Sequence, residues 1–310
     1  MKKYVLGADI GGTTVKLGLF TTAGELLEKW EIPTDTEQSE KILSDVAESC
    51  KEKLRGKGVS PEECLGIGLG VPGPVRPDGS VDMCVNLGWQ EKQVKKEMEE
   101  LLGIPAAVGN DANVAALGEM WQGGGNGCEN MVMVTLGTGV GGGIIVNGKV
   151  VSGAHGYGGE IGHLLMNPHE TRKCNCGKTG CLEQYGSAPG LVRMVERALE
   201  DGETDTILKN GEVTAESIFR AARDGDAFAA SMTEQFAEIL GRGLSYLAGV
   251  TDPEVFVIGG GVSRAGEVLL EMLQRHYKAY VFGRQKETKF SLATLENDAG
   301  IYGCAKLMMG

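Results

Sequence analysis

Twice along this chain a strand-like apolar run breaks into a loop of glycine and threonine and then resumes as strand. The first run, Tyr4 to Ile10, gives way at Asp9-Ile10-Gly11-Gly12-Thr13-Thr14 and resumes over Val15 to Phe20. The second, Met131 to Leu136, gives way to Gly137-Thr138-Gly139-Val140-Gly141-Gly142-Gly143 and resumes over Ile144 to Val146. The two units share an order of elements with slight sequence identity. That repetition predicts a duplicated α/β fold with a cleft between its halves. The expected division is a first domain over 1–118 and a second over 119–296. A helix over 297–310 is expected to pack back on the first.

Between the loops, the apolar spacing of Ile42, Val46 and Leu54 predicts a helix over about 37–54, and Cys64 to Leu69 reads as strand. A further strand is expected after the Ala23-Gly24 turn. Helix returns over Glu91 to Leu102, followed by a short strand, Ala106 to Val108. Asn110-Asp111 then precedes a helix through Ala115, Ala116 and Met120. Later, Val255 to Ile258 reads as strand, a helix is expected near Val268 to Leu273, and Asp298 to Met309 reads as helix.

Small anions can be held by the amides of such glycine loops. At the first loop Gly11, Gly12, Thr13 and Thr14 offer amides and two hydroxyls without bulk, and Asp9 could hold Mg²⁺ directly or through water. A bare hairpin turn is the alternative. The second loop, with Thr138 and Gly139, weighs against it. A third, Ile258-Gly259-Gly260-Gly261-Val262-Ser263, either passes beneath an adenosine or simply joins strand to helix. The run Gly137-x-Gly139-x-x-Gly142 matches the dinucleotide fingerprint, which requires a helix immediately afterwards. Here a β-branched run with an Asn147-Gly148 turn follows, so that reading fails on context. The Walker A loop fails for want of a Gly-Lys-Ser/Thr ending.

A formal charge of −12, from 30 Lys plus Arg against 42 Asp plus Glu, opposes phosphate-backbone binding, so no nucleic acid partner is expected. The start Met1-Lys2-Lys3 is followed by a short apolar run broken at Asp9, unlike a secretory leader, and no stretch reaches membrane-spanning length. A cytoplasmic protein with no membrane contact is expected. Its eight cysteines then read as thiols and ligands, not as a disulfide framework. Cys50, Cys64, Cys84, Cys128 and Cys304 are isolated and read as small apolar residues. Cys174-x-Cys176-x₄-Cys181, downstream of His163, makes a complete tetrahedral set for a structural Zn²⁺ with no open position. Glu160 and Glu183 flank that set. His155 and His169 lack such partners.

Together, Asp9-Ile10-Gly11-Gly12-Thr13, Gly109-Asn110-Asp111-Ala112-Asn113, Leu136-Gly137-Thr138-Gly139-Val140-Gly141 and the Cys/His cluster resemble the ROK sugar kinases and repressors. Within them the pattern is most similar to the bacterial ATP-dependent glucokinase branch. The resemblance spans nearly the whole chain. It implies an actin-like (ribonuclease H-like) duplicated α/β fold, a cleft for sugar and ATP, and a homodimer or higher oligomer. It also implies Asp111 as the base that takes the proton of the sugar hydroxyl. Taken from its position alone, Asp111 is better read as the cap of its helix. Asn110, Glu160, His163 and Glu183 are implied at the sugar, with Gly73 and Asn86 as further candidates. An Asx turn accounts for Asn86 as well. His163 has two expected jobs, one ring nitrogen on zinc and the other on a sugar hydroxyl.

The repressor members carry a winged helix before the first phosphate loop; here that loop begins at Asp9, which disfavours a DNA-binding regulator. Polyphosphate-using relatives generally lack the cysteine cluster, which favours ATP, and fructokinase-like members use a different ligand pattern. Glucose is the favoured hexose and glucose 6-phosphate the favoured product. An N-acetylmannosamine kinase is the rival enzyme, and a catalytically idle sugar sensor is the rival from another class.

Overall fold

The computed structural model describes residues 2–202 and 205–310. In chain order its strands and helices are β1 (Tyr4–Ile10), β2 (Thr14–Thr21), β3 (Leu26–Pro33), α1 (Ile42–Lys57), β4 (Cys64–Val71), α2 (Val94–Leu102), β5 (Ala106–Asn110), α3 (Asp111–Gln122), β6 (Met131–Leu136), β7 (Val140–Val146), β8 (Lys149–Val150), α4 (Glu183–Gly186), α5 (Ala188–Glu200), α6 (Ala215–Arg223), α7 (Ala227–Thr251), β9 (Val255–Gly259), α8 (Glu267–Tyr280), β10 (Lys289–Leu292) and α9 (Ala299–Met309). No helix among the described residues is long and apolar enough to cross a membrane.

The strands form two five-stranded sheets, in the orders β3-β2-β1-β4-β5 and β10-β9-β6-β7-β8. Read from its other edge, the second sheet repeats the first position by position, so the duplicated α/β architecture expected from the two loops is present. In the first sheet β1 pairs antiparallel with β2 and parallel with β4. In the second, β9 lies parallel to both β6 and β10. The central strands β1 and β4 are almost wholly buried, as expected where both faces are covered. At the edge, β3 alternates partly buried and exposed residues and ends on Pro33, which an edge tolerates.

Contacts group the chain into two units: 1–129, 143–159 and 294–310 form one, and 130–142 with 160–293 form the other. In the first unit, backbone packs directly on backbone. A methyl added at Gly303 would strike the Val114 carbonyl of α3, and one at Gly118 would strike the Ala299 carbonyl of α9. Gly68 and Gly7 likewise leave no room for a side chain beneath Cys304 and Ile301. Only glycine permits α9 to approach so closely. Glu119, fully buried on α3, holds the approach to α9 by accepting from the backbone N–H groups of Thr294 at 3.0 Å and Leu295 at 2.8 Å. It also accepts from Gly124 N–H at 2.7 Å, and such pairing is what a buried carboxylate requires. An aromatic cluster of Phe20, Trp121 and Tyr302 closes one end.

The second unit carries two departures from the sequence expectation. Strand β7 begins at Val140, earlier than Ile144, because the glycines at 141–143 join the strand and only Gly137-Thr138-Gly139 remains as loop. The sequence reading also assigns nothing to the stretch holding α5, α6 and α7. Local signals are nonetheless there: Ser187, Thr214 and Asp226 each cap their helix with a side-chain oxygen.

The glycine seam yields a direct test. Gly303→Ala is expected to lower stability by about 3 kcal/mol through overpacking, whereas Gly249→Ala, on α7 with open space around it, should gain up to about 1 kcal/mol. Urea denaturation midpoints of the two variants measure both, and equal midpoints would dismiss the seam.

Candidate active site

Asp9 is the second-last residue of β1 and opens the first glycine loop, two positions before Gly11. That loop is closed by its own backbone, Gly11 N–H donating to the Thr14 carbonyl at 3.0 Å. Thr34 pins it from the end of β3, its hydroxyl donating to the Gly11 carbonyl at 2.8 Å and its N–H to the Thr13 carbonyl at 2.9 Å. Gly12 and Thr13 remain exposed and Thr14 partly so. Exposed Asn86 sits in a 3₁₀ turn, Val85–Leu87, and its backbone carbonyl lies against Gly12.

Asn110 ends β5 and Asp111 begins α3. The cap of α3 is Asn110: its Oδ1 accepts from Ala112 N–H at 3.0 Å and Asn113 N–H at 3.2 Å. Its Nδ2 donates to the Gly73 carbonyl at 3.0 Å, drawing Gly73, Asn110 and Asp111 together. Helix capping therefore does not require Asp111, whose Oδ1 accepts from the neighbouring Ala112 N–H at 2.8 Å and whose carboxylate the Asn110 side chain also steadies.

The first unit brings Asp9 and Asp111 close enough to repel. Burial first, and then the Asp111 charge, push the Asp9 carboxyl up from 3.8 to about 6, with Lys16 opposing. Lys16 is the cross-strand partner of Asp9 in the β1/β2 pair, and its Nζ donates to the Asn297 carbonyl at 3.1 Å. Asp111 retains solvent contact at its tip, yet protein packed around it raises its carboxyl above the usual range.

In the second unit, Thr138 is exposed at the tip of a turn closed by Gly137 N–H donating to the Gly139 carbonyl at 3.0 Å. A side chain at Gly139 would collide with the Glu183 carboxylate, which accepts from Val140 N–H at 3.2 Å. Gly259 ends β9. Gly260, at φ +83°, lies against the backbone of Leu136, so the third glycine loop sits beside the second. A 3₁₀ turn, Gly261–Ala265, follows, and then α8.

His163, Cys174, Cys176 and Cys181 converge, their ligand atoms all within 4.8 Å of one another. Cys174 Sγ lies 3.8 Å from His163 Nδ1 and Cys176 Sγ 3.7 Å from Cys181 Sγ. A tetrahedron with bonds of about 2.3 Å to sulfur has edges of about 3.8 Å, so this donor set fits a tetrahedral cation. Burial, then the other thiols, push the Cys181 thiol up to about 12. A dication reverses that balance. The other ring nitrogen of His163, Nε2, faces the Glu160 carboxylate at 3.7 Å, and the second Glu183 oxygen lies 3.5 Å from Cys174 Sγ. Glu160, His163 and Glu183 are thus all gathered at the cluster. Cys50, Cys64, Cys84 and Cys304 are buried and Cys128 is partly so.

The sequence reading passes over Gln184, Tyr185 and Arg193. The first two follow Glu183 on α4, and Arg193 lies on α5. No spacing or motif singles them out; only the fold shows what they hold.

Residues 5–310 match the model of the ROK family. The glucokinase of Halalkalibacterium halodurans is 44% identical over 97% of this chain and 93% of its own length. The ROK hexokinase from Thermus thermophilus has a similar structure, with a TM-score of 0.82 at 34% identity, covering 98% of this chain and 97% of that one. A ROK family glucokinase from Streptomyces griseus, solved in complex with glucose and AMPPNP, gives 0.73 at 32% identity and 98% of both chains. With the loops, the paired carboxylates and the Cys/His cluster all in place, the chain belongs to the ROK family.

Proposed function

We propose that this protein is an ATP-dependent glucokinase, transferring the γ-phosphoryl group of ATP to glucose to yield glucose 6-phosphate and ADP. The observation that carries this reading is the 44% identity to a glucokinase over nearly the whole of both chains. Asp111 is the base. It accepts the hydroxyl proton while the new oxygen–phosphorus bond forms and the bond to the ADP oxygen breaks. Its raised carboxyl makes it a stronger base than a free aspartate, yet far weaker than an alkoxide, so the proton moves late.

The amides of Gly11 and Gly12, the hydroxyls of Thr13 and Thr14, and the Thr138-Gly139 turn hold phosphates. Gly259, Gly260 and Gly261 border the adenosine. Asp9 offers hard oxygen ligands to Mg²⁺, directly or through water; when bound, that ion neutralises phosphate charge. Asn110, Glu160, His163 and Glu183 orient the sugar hydroxyls, with Gly73 and Asn86 bordering them. His163, Cys174, Cys176 and Cys181 are the ligands of a structural Zn²⁺, which supplies a cross-link and no open coordination position.

Coupled ADP release with Mg²⁺-ATP and single hexoses tests the substrate. Glucose is expected to be strongly preferred over mannose, fructose, N-acetylglucosamine and N-acetylmannosamine. A preference for N-acetylmannosamine would transfer the assignment to that kinase, and no turnover on any sugar would leave a sugar sensor. Asp111→Asn should fold normally and lose about 10²–10⁴-fold in turnover; near-full activity would remove Asp111 from the mechanism.

Asp9 carries a stability consequence. Because its folded carboxyl titrates near 6, not 3.8, the fold favours the protonated form. Its contribution to stability is therefore greatest below 3.8 and is lost as pH rises through 6. Asp9→Asn should gain about 3 kcal/mol at pH 8, and little at pH 4, while turnover collapses. Urea unfolding at the two pH values reads the difference; equal gains at both would discard the electrostatic account.

Metal analysis of protein purified without chelator should find about one zinc per chain. Cys181→Ser should abolish retention and lower the melting temperature. Wild-type protein free of zinc would end the zinc assignment.

A further inference from the structure

One turn in the second unit touches both the Cys/His cluster and the wall of a cavity. Gln184, 5% exposed, accepts at Oε1 from Cys181 N–H at 3.1 Å and donates from Nε2 to the Arg172 carbonyl at 2.8 Å. It therefore clasps the cysteine loop at both ends, since Arg172 leads into Cys174. Its own backbone carbonyl accepts from Arg193 Nη2 on α5 at 2.9 Å. Arg193, with Thr138, Pro189, Val192, Val213 and Thr214, lines a cavity of about 490 Å³.

The neighbouring residues reinforce the clasp. Ala188 N–H donates to the Gly137 carbonyl at 2.9 Å, fastening the start of α5 to the second glycine loop. The Tyr185 hydroxyl donates to Glu170 at 2.7 Å and accepts from Asn167 Nδ2 at 3.0 Å, fastening the same turn to the segment before the cysteines. Glu183, one residue earlier, holds Val140 N–H.

We propose that Gln184 is a positioning residue through which the Cys/His cluster and the cavity wall are coupled, so that zinc at the cluster and a nucleotide in the cavity stabilise each other. This rests on the kinase reading for the cavity's occupant and on the zinc reading for the cluster. An ion fixes Cys181 and Cys174, which fixes Gln184, whose carbonyl then keeps Arg193 at the wall. An occupant that holds Arg193 and the 137–140 loop restrains the same turn from the other side. Such linkage is reciprocal in binding free energy.

Zinc release from the holoprotein into excess chromophoric chelator measures the coupling, with no addition, with Mg²⁺-AMPPNP, or with glucose. In the wild type, Mg²⁺-AMPPNP should slow release about tenfold. Gln184→Met, which keeps the volume and removes both side-chain hydrogen bonds, should bind zinc in the same ratio. Its nucleotide protection should fall to less than about twofold, and its KM for ATP should rise more than its KM for glucose. Arg193→Met severs the link on the helix side, leaves the cluster's own hydrogen bonds intact, and should lose protection equally; it decides the matter should Gln184→Met not fold. Equal protection in wild type and variants overturns the proposal. So does a wild type that holds zinc, turns over ATP and shows no protection; the kinase and zinc readings then survive. A protein without zinc overturns the coupling together with the zinc reading. A zinc-bound protein with neither turnover nor protection overturns it together with the kinase reading.

Discussion

Backbone lying directly on backbone, along α9, is the constraint from which the rest of the first unit follows. Where Gly7 and Gly68 face the helix and Gly118 meets Gly303, there is no side-chain layer to absorb a shift. Helix α9 therefore fixes β1, β4 and α3 as one body. Asp9 belongs to that body: a methyl on Gly300, in the first turn of α9, would strike its carboxylate. Asp111 belongs to it as the first residue of α3. Two acidic groups that repel one another are thus held in place by packing that neither can disturb. Pre-organisation of this kind is what a phosphoryl-transfer site needs, because little of its catalysis is covalent.

The electrostatic consequence is a local conflict that the fold tolerates. Burial raises the cost of ionising both carboxylates, and at Asp9 the Asp111 charge adds to it. Lys16 moderates the conflict from the facing position on β2 without cancelling it. Asn110 moderates it at Asp111, where its side chain, with the Ala112 N–H, draws the carboxyl down against the rise that burial imposes. Stability given up at a site in this way is the usual companion of function. A cation beside Asp9 would offset both the burial and the neighbouring charge, and so lower the cost of ionising it.

What could be read from the sequence was what glycine and cysteine write locally. The two loops showed through as clusters of glycine between β-branched runs, and the metal set showed through as spacing. The duplicated α/β architecture followed once the unit was seen to repeat, whereas the pairing of the strands came only from the structure. The rest depended on partners far along the chain. Glu119 reads as an ordinary helix glutamate until Thr294, 175 positions away, comes to lie over it. The sequence offered Asp111 as the cap of α3, and only the geometry, with Asn110 Oδ1 on two amides, gave that role to its neighbour. Gln184 carries no motif at all, because its role arises from being buried between a loop and a helix that the sequence does not juxtapose.

The second unit answers a different physical problem. From Glu160 to Leu182 the chain forms a 3₁₀ turn and isolated bridges, Leu165 with Cys181 and Lys173 with Thr179, but no regular helix or strand. Its buried apolar side chains are few, chiefly Ile161, Met166 and Leu182. A segment of this kind buries too little to offset the entropy of ordering it. Three cysteines and a histidine supply the missing restraint when a cation draws them together, because ligand binding to the folded form is folding free energy. The polar network through Gln184, Tyr185 and Glu170 supplies more. The order of Glu160, His163 and Glu183 is then a property of the cluster and its network, not of a hydrophobic core. A cation bound at the cluster would therefore be felt by whatever those residues hold, even with all four ligands spent on the ion itself.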